Sequence, residues 1–345
     1  WAFDYLMTGK IVLKENITLA EYADGFFSWD GDWATDKRVR GLRISKRQCY
    51  SLTYLVRNHL VPRMGSIKLV NIDRSQIKLL RNGLYNSGYS GNTINKVLSA
   101  LKAILEAAEE ESLIQVVPRI DRAAIRPKLK GILTLEECRK LFSFDWKSEP
   151  AHCHPPKDQF MGYVGNLVAS STGLRLGELQ ALTLSDIHLD EGYIFVRRSW
   201  DNFFGLNETT KTGKVRHIFI PELVKNTLKK LMDTNPDPAN PESFVFYSEK
   251  TSGKPAEPVI FYRSLYTAMR RIGISEDERR RRNITFHSWR HWFNSLLINA
   301  RVPIAKIQSI TGHLTNEMTQ HYYHLQLEEM NDVLQVQESI FLPNP

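Results

Sequence analysis

Apolar residues recur with a helical period along much of this chain, most sharply over residues 93–109. There Ile94, Val97, Leu98, Leu101, Ile104, Leu105 and Ala108 keep i, i+3, i+4, i+7 spacing, which puts them on one face of one helix. Upstream, three helix starts are marked by a polar residue followed three positions later by Glu or Gln. Thr18 and Glu21 form the first. Ser45 and Gln48 open a second helix, which the pattern carries to Pro62. Asp73 and Gln76 open a third, ending near Gly83–Gly88. Four such helices predict a small all-α domain over residues 16–115. Residues 1–15 read as the remnant of an upstream segment, because the chain opens on Trp1.

The period breaks over residues 116–130, at Pro118 and Pro127. Arg119, Arg122, Arg126, Lys128 and Lys130 stand there against Asp121, a net charge of +4. The stretch reads as a basic interdomain linker that contacts nucleic-acid backbone, with a merely solvated connector as the bland alternative. Thr134 and Glu137 cap the start of a second domain, residues 131–330. Helical patterns run to Leu184. Two β-rich runs, Tyr193–Ser199 and Arg216–Pro221, flank the turn signal Lys211-Thr212-Gly213-Lys214. Helices resume over 222–232, 259–272, 288–299, 303–311 and 315–325. Residues 331–345 form a short amphipathic tail. The predicted fold class is mainly α with a small antiparallel β-sheet, in two domains.

Composition narrows the partners. The 345 residues carry a net charge of +8 with a pI near 9.2, which favours a polyanion. Cys49, Cys138 and Cys153 are odd in number and far apart, so a disulfide framework is not expected and a reducing compartment is. No apolar run approaches the roughly 18 residues that a membrane span needs, and no signal peptide opens the sequence. A cytoplasmic protein with no membrane partner is expected.

Several short motifs carry candidate chemistry. In TGLRLGE, Arg175 and Glu178 share a helical face at i, i+3, and Gly173 permits a sharp turn into that helix. A guanidinium there can grip phosphate oxygens in pairs, although a surface Arg–Glu pair is the commoner meaning. In FHSWRH, His287, Arg290 and His291 share a face. The two histidines have zinc-helix spacing, but no Glu follows the first and Arg290 would repel a cation, so phosphate fits better than metal. His152-Cys153-His154 is too contiguous to wrap a metal ion. Gly312 suits a left-handed helix cap before His313, and Tyr322 lies nine residues beyond. Taken singly, Tyr322 would be a half-buried aromatic and Lys211 a solvated turn residue. Arg279, Arg280, Arg281 and Arg282 precede the His287 helix and read as phosphate contacts, with a solvated helix end as the alternative.

Together these fragments resemble the tyrosine recombinase (phage integrase) family. The match runs through Gly173-Leu174-Arg175-Leu176-Gly177-Glu178, Lys211, His287-Ser288-Trp289-Arg290, Gly312-His313 and Tyr322, in that order. It covers residues 131–330 strongly and 16–115 more weakly. Trp289 and Thr311 stand where the family usually has Leu, at positions expected to pack rather than react. Lys214 is a rival to Lys211, and Tyr323 to Tyr322.

The resemblance implies a helical core-binding domain joined to a mixed α/β catalytic domain. It also implies a site-specific recombinase that cuts and rejoins double-stranded DNA through a 3′-phosphotyrosyl intermediate. Tyr322 would be the nucleophile, with Arg175 and Arg290 on the non-bridging oxygens. His287 would accept a proton, His313 would donate to the phosphate, Lys211 would protonate the leaving 5′-oxygen, and Glu178 would orient Arg175 or a histidine. No metal, ATP or other cofactor is implied, and no Gly-Lys pair here completes a Walker A loop. A homotetramer on two DNA sites is implied, with the 331–345 tail exchanged between protomers and accessory DNA-bending proteins as optional partners. Nucleoid association when bound to DNA is the expected location. A type IB topoisomerase and a catalytically silent DNA-binding protein on the same scaffold are the alternatives. Element integrase against chromosome-dimer resolvase stays open at this level.

Overall fold

The computed structural model describes residues 17–125, 130–143, 156–210 and 213–312. The chain divides between Lys128 and Leu129 into two compact units. The expected helix over 315–325, the 1–15 remnant and the 331–345 tail lie outside the described residues.

The first unit is helical. Helix α1 (Leu19–Ala23) starts at the expected capping box: Glu21 accepts the Thr18 backbone N–H at 2.8 Å, and Thr18 accepts that of Glu21 at 3.3 Å. Helix α2 (Asp32–Val39) buries only Ala34, which is why no apolar period announced it. Helix α3 (Lys46–Leu55) is capped by Ser45 as expected, but the helical course does not stop at Pro62. It widens into a π turn over Val56–Leu60 and closes as α4 (Val61–Met64). Proline has no N–H and its ring crowds the carbonyl one turn back. The wider turn accommodates this, with the Val61 N–H reaching back to the Val56 carbonyl. Helices α5 (Arg74–Asn86) and α6 (Gly91–Glu110) follow, capped by Asp73 and Ser90. The predicted stripe of α6 is buried throughout, from Ile94 to Ala108, and packs with Leu60, Leu80, Leu84 and Phe27.

Residues 117–123 are strapped onto this unit. The buried Asn95 side chain donates to the Ala123 carbonyl at 2.9 Å and accepts the Ala123 N–H at 2.8 Å. Glu109 accepts the Val117 N–H, Arg74 pairs with Asp121 at 2.8 Å, and Arg81 donates to the Asp121 carbonyl. This part of the basic stretch is therefore a bound strap rather than a solvated connector. Its backbone groups are satisfied by side chains of α5 and α6, partners that linear composition does not reveal.

The second unit is mixed. Helix α7 (Leu135–Ser143) starts at the Thr134–Glu137 box. Helix α8 (Pro156–Thr172) buries Met161, Val164, Leu167, Val168 and Ala169, and leads through Gly173 into the short α9 (Leu176–Gln180). The strands are β1 (Ile187–His188), β2 (Tyr193–Val196), β3 (Ser199–Asp201), β4 (Gly205–Asn207) and β5 (Arg216–Phe219). They form an antiparallel sheet ordered β1-β2-β5 and a separate β3–β4 hairpin. In the sheet, Tyr193 pairs with Phe219 and Val196 with Arg216. The single turn expected between β2 and β5 is thus replaced by an excursion containing its own hairpin. The excursion is set by Asp201, whose carboxylate accepts the Phe203 and Phe204 N–H groups at 2.8 and 3.0 Å.

Helices α10 (Glu222–Met232), α11 (Pro258–Arg271), α12 (Glu276–Arg281), α13 (Ser288–Asn299) and α14 (Ile304–Thr311) complete the described chain. Helix α8 packs against α10, α11 and α13, and α14 packs on β5. Trp289 is buried, and its indole N–H donates to Asn166 at 2.8 Å. Thr311 is also buried. Both positions pack, as expected. No helix among the described residues is long and apolar enough to cross a membrane.

Candidate active site

The site is built around one carboxylate. Glu178 is 1% exposed and lies in the first turn of α9. It accepts the Arg175 backbone N–H at 3.1 Å and the Arg175 guanidinium at 2.8 Å, so the i, i+3 spacing does what the sequence suggested. It also accepts Arg216 from β5 at 2.7 Å, with a weaker second contact at 3.5 Å. Burial alone would raise its pKa. The guanidiniums of Arg216, Arg175 and Arg290 overcome that and hold it down at about 2.

Arg290 is the third cation and is 2% exposed. From α13 it donates to the Gly173 carbonyl at 2.9 Å and to the Thr311 carbonyl. Gly173 takes a left-handed φ of +64°, and a Cβ there would lie 2.7 Å from the Phe293 ring. Glycine therefore fits the junction on both grounds. Arg216 reaches the same place from the other side, donating to the Ile310 carbonyl at 2.7 Å. The last two carbonyls of α14 are thus each taken by an arginine from another element. Helix α14 then ends at Gly312 in the expected left-handed cap, φ +68°.

Arg175, Glu178 and Arg290 are therefore brought together. One carboxylate among three guanidiniums leaves a local charge of +2. Arg175 is the member that reaches solvent, with its side chain 19% exposed. His287 is exposed and sits at the position just before α13, one turn before Arg290, its ring edge-on to His291 with centroids 5.0 Å apart. Lys211, His313 and Tyr322 lie outside the described residues. Their neighbours are described: Thr210 is buried and accepts the Gly213 N–H at 2.8 Å, and Gly312 directly precedes His313. Among the described residues no group of three or more His, Cys, Asp or Glu is placed to hold a metal ion. His152 and His154 fall outside them.

Arg216 is the residue that the sequence reading missed. The available signal was strand alternation: β5 reads buried, exposed, buried, exposed, and Arg216 shares the inward face with Ile218. A cation on an apolar face needs a buried partner.

The other predicted cations separate into two kinds. Arg279 makes two bonds to Glu276, donates to the Ile284 carbonyl and stacks 4.0 Å over Tyr266. Arg282 makes a bidentate pair with Glu137, both bonds 2.7 Å, and donates to the Ile132 carbonyl. These two brace the fold. Arg280 pairs with Glu276 yet stays 70% exposed, and Arg281 is exposed. On the strap, Arg119 is exposed and pairs with Asp121, while Arg122 is exposed. Lys130 donates to Asn283 at 3.2 Å. Arg126 and Lys128 lie outside the described residues.

One buried carboxylate thus ties Arg175 to Arg216, and Arg216 and Arg290 hold the end of α14. Residues 132–329 match the sequence model of the Phage integrase family, and the chain belongs to that family. It is accordingly a tyrosine recombinase, an enzyme that cleaves and rejoins DNA. The tyrosine recombinase XerA of Pyrococcus furiosus is 28% identical over 253 residues, 72% of this chain and 75% of that protein. The integrase of Staphylococcus phage L54a is 30% identical over 178 residues, 49% of each. Among solved structures, the Tn1549 transposon integrase in complex with a circular intermediate DNA superposes with a TM-score of 0.67. It is 22% identical, over 89% of this chain and 94% of that one. A lambda integrase dimer bound to a core site gives 0.63 at 19% identity, over 95% and 83%. These likenesses show the fold: mainly α with small antiparallel sheets.

Proposed function

We propose that this protein is the integrase of a phage or integrative element, and that its described arginine set is the phosphate-holding half of the reaction centre. The observation that carries the reading is the pairing of Arg175 with Glu178 beside Arg290, whose charge also acts on Glu178 and whose guanidinium holds the Gly173 and Thr311 carbonyls. A scissile phosphodiester carries one negative charge, and the transition state spreads added charge over its oxygens. A fixed local excess of +2, held without mobile ions, stabilises that state directly.

The Tyr322 phenol has an ordinary pKa near 10, so about one molecule in a thousand is ionised at pH 7. In the proposed step the Tyr322 oxygen bonds to phosphorus while the bond to the 5′-oxygen breaks. The phenolic proton passes to His287, Lys211 delivers a proton to the leaving oxygen, and His313 donates to the phosphate. The phosphotyrosyl bond conserves the energy of the bond it replaces, so the reverse attack by a 5′-hydroxyl reseals the strand.

Residues 16–115 act in this reading as the core-type DNA-binding domain and 131–330 as the catalytic domain. Arg119, Arg122, Arg280 and Arg281 are the exposed cations available to backbone phosphates. Arg126, Lys128 and Lys130 are the remaining linker candidates. Affinity for DNA then falls steeply with salt. Assembly as a homotetramer on two sites, with the 331–345 tail exchanged and accessory bending proteins optional, belongs to the same proposal, as does a cytoplasmic location. A lambda integrase tetramer bound to a Holliday junction is among the solved structures of similar fold.

The test is a nicked duplex selected by the protein from a random-sequence pool. The protein forms a covalent adduct on it, and Tyr322→Phe forms none. An adduct that persists in Tyr322→Phe moves the nucleophile to Tyr323. Relaxation of supercoiled plasmid irrespective of sequence turns the assignment to a topoisomerase.

A further inference from the structure

We propose that Arg216 is a positioning residue of the reaction centre, holding the carbonyl end of helix α14, up to its Gly312 cap, in register with Glu178 and Arg175. The proposal rests on the recombinase reading above and deepens it.

Arg216 is 5% exposed and carries no surface role. Its guanidinium is used on two sides. One amino group meets Glu178 at 2.7 Å, while Nε meets the Ile310 carbonyl at 2.7 Å. A planar guanidinium fixes the angle between its donors, so the two partners cannot shift independently. Glu178 is tied to Arg175 at 2.8 Å, and the Ile310 carbonyl lies three residues before His313. The path from Arg175 to the end of α14 therefore runs through Glu178, Arg216 and one backbone carbonyl. Arg290 makes the parallel tie one residue along, at the Thr311 carbonyl.

The geometry also separates this role from plain packing. A helix C-terminus leaves its last carbonyls without partners inside the helix. At Ile310 and Thr311 two arginines from β5 and α13 take them. A lysine at 216 could keep the charge next to Glu178, but its single nitrogen cannot reach carboxylate and carbonyl with the fixed fork of arginine. Loss of the tie should act on the rate of strand cleavage rather than on DNA capture, because Arg216 is buried and its guanidinium is taken up by Glu178 and Ile310.

The experiment uses the full chain and three variants, Arg216→Lys, Arg216→Gln and Tyr322→Phe, on the selected nicked duplex. Duplex affinity, the single-turnover rate of adduct formation at saturating duplex, and hydrogen exchange of the 304–312 peptide are read for each. Rates are normalised to folded protein from the near-UV circular dichroism signal. The expected result for Arg216→Lys is duplex affinity within about threefold of the parent, adduct formation slowed by about tenfold or more, the rate equivalent of one charge-assisted bond, and faster exchange confined to 304–312. Arg216→Gln should be slower again. An Arg216→Lys protein that cleaves at the parent rate per folded molecule overturns the proposal, as does unchanged exchange over 304–312. If Arg216→Gln does not fold, Arg216→Lys alone decides. Failure of the parent protein to form any adduct overturns the recombinase reading itself, and is seen before any Arg216 variant is compared.

Discussion

Replacing Glu178 by Gln is the sharpest perturbation of the site. The side chain keeps its size and its position in α9 but loses its charge, leaving Arg175, Arg216 and Arg290 without a counterion. The magnitude follows from the carboxylate itself. Its pKa falls from the ordinary 4.5 to about 2 against the opposing effect of burial, with Arg216, Arg175 and Arg290 as the charges responsible. At 1.36 kcal/mol per pH unit, that is about 3 kcal/mol of folding stability. Removing one partner of a buried ion pair costs about 3–5 kcal/mol by an independent route, so the two estimates agree. The group is depressed in the folded state, so its contribution is fully present above pH 4.5. It is lost progressively as pH falls through the folded-state value of about 2, below which folded and unfolded chains are both protonated. Urea unfolding of parent and Glu178→Gln between pH 3 and pH 8 reads this directly, with near-UV circular dichroism as the probe, to which Trp200, Trp289 and Trp292 of the second unit contribute. The variant should be about 3 kcal/mol less stable at pH 7, and the gap should narrow below pH 4.5. Other acids titrate in both proteins and cancel in the difference. A gap under about 0.5 kcal/mol at pH 7, or one that stays constant to pH 3, would refute the account of Glu178 as the charge hub.

Two further outcomes test the surrounding fold. Trp289→Phe removes the indole donor to fully buried Asn166 and leaves its amide oxygen without that bond, a cost of about 1–3 kcal/mol in urea unfolding. Equal stability would show that the tryptophan serves volume only. Asn95→Ala frees the Ala123 backbone from both of its hydrogen bonds, so trypsin should cut after Arg119 or Arg122 several-fold faster under native conditions. An unchanged cleavage rate would mean that the strap is held by other contacts.

What could be read from the chain, and what could not, divides by sequence separation. The Thr18–Glu21 box, the Asp73 cap, the Arg175–Glu178 pair and the Gly312 cap all rest on neighbours within about four residues. Helix geometry fixes such pairs wherever the helix forms. The ties that assemble the site do not. Arg216 lies 38 residues from Glu178 and 94 from Ile310, and Arg290 lies 117 from Gly173. Spacing says nothing about contacts of that range. Within the arginine run at 279–282 the charge was visible, but Glu137, 145 residues before Arg282, was not assignable as its partner for the same reason. The β3–β4 hairpin was hidden because its strands are three residues each and too short for alternation to register. Arg216 stood between these cases. Its place beside Ile218 on the inward face of a strand declared a buried cation, and a buried cation demands a carboxylate. Glu178 has a local partner in Arg175, three residues away. A carboxylate has two oxygens and about four acceptor sites, so one arginine could not exhaust it. The unmatched capacity of Glu178 and the unmatched charge of Arg216 were two halves of one inference.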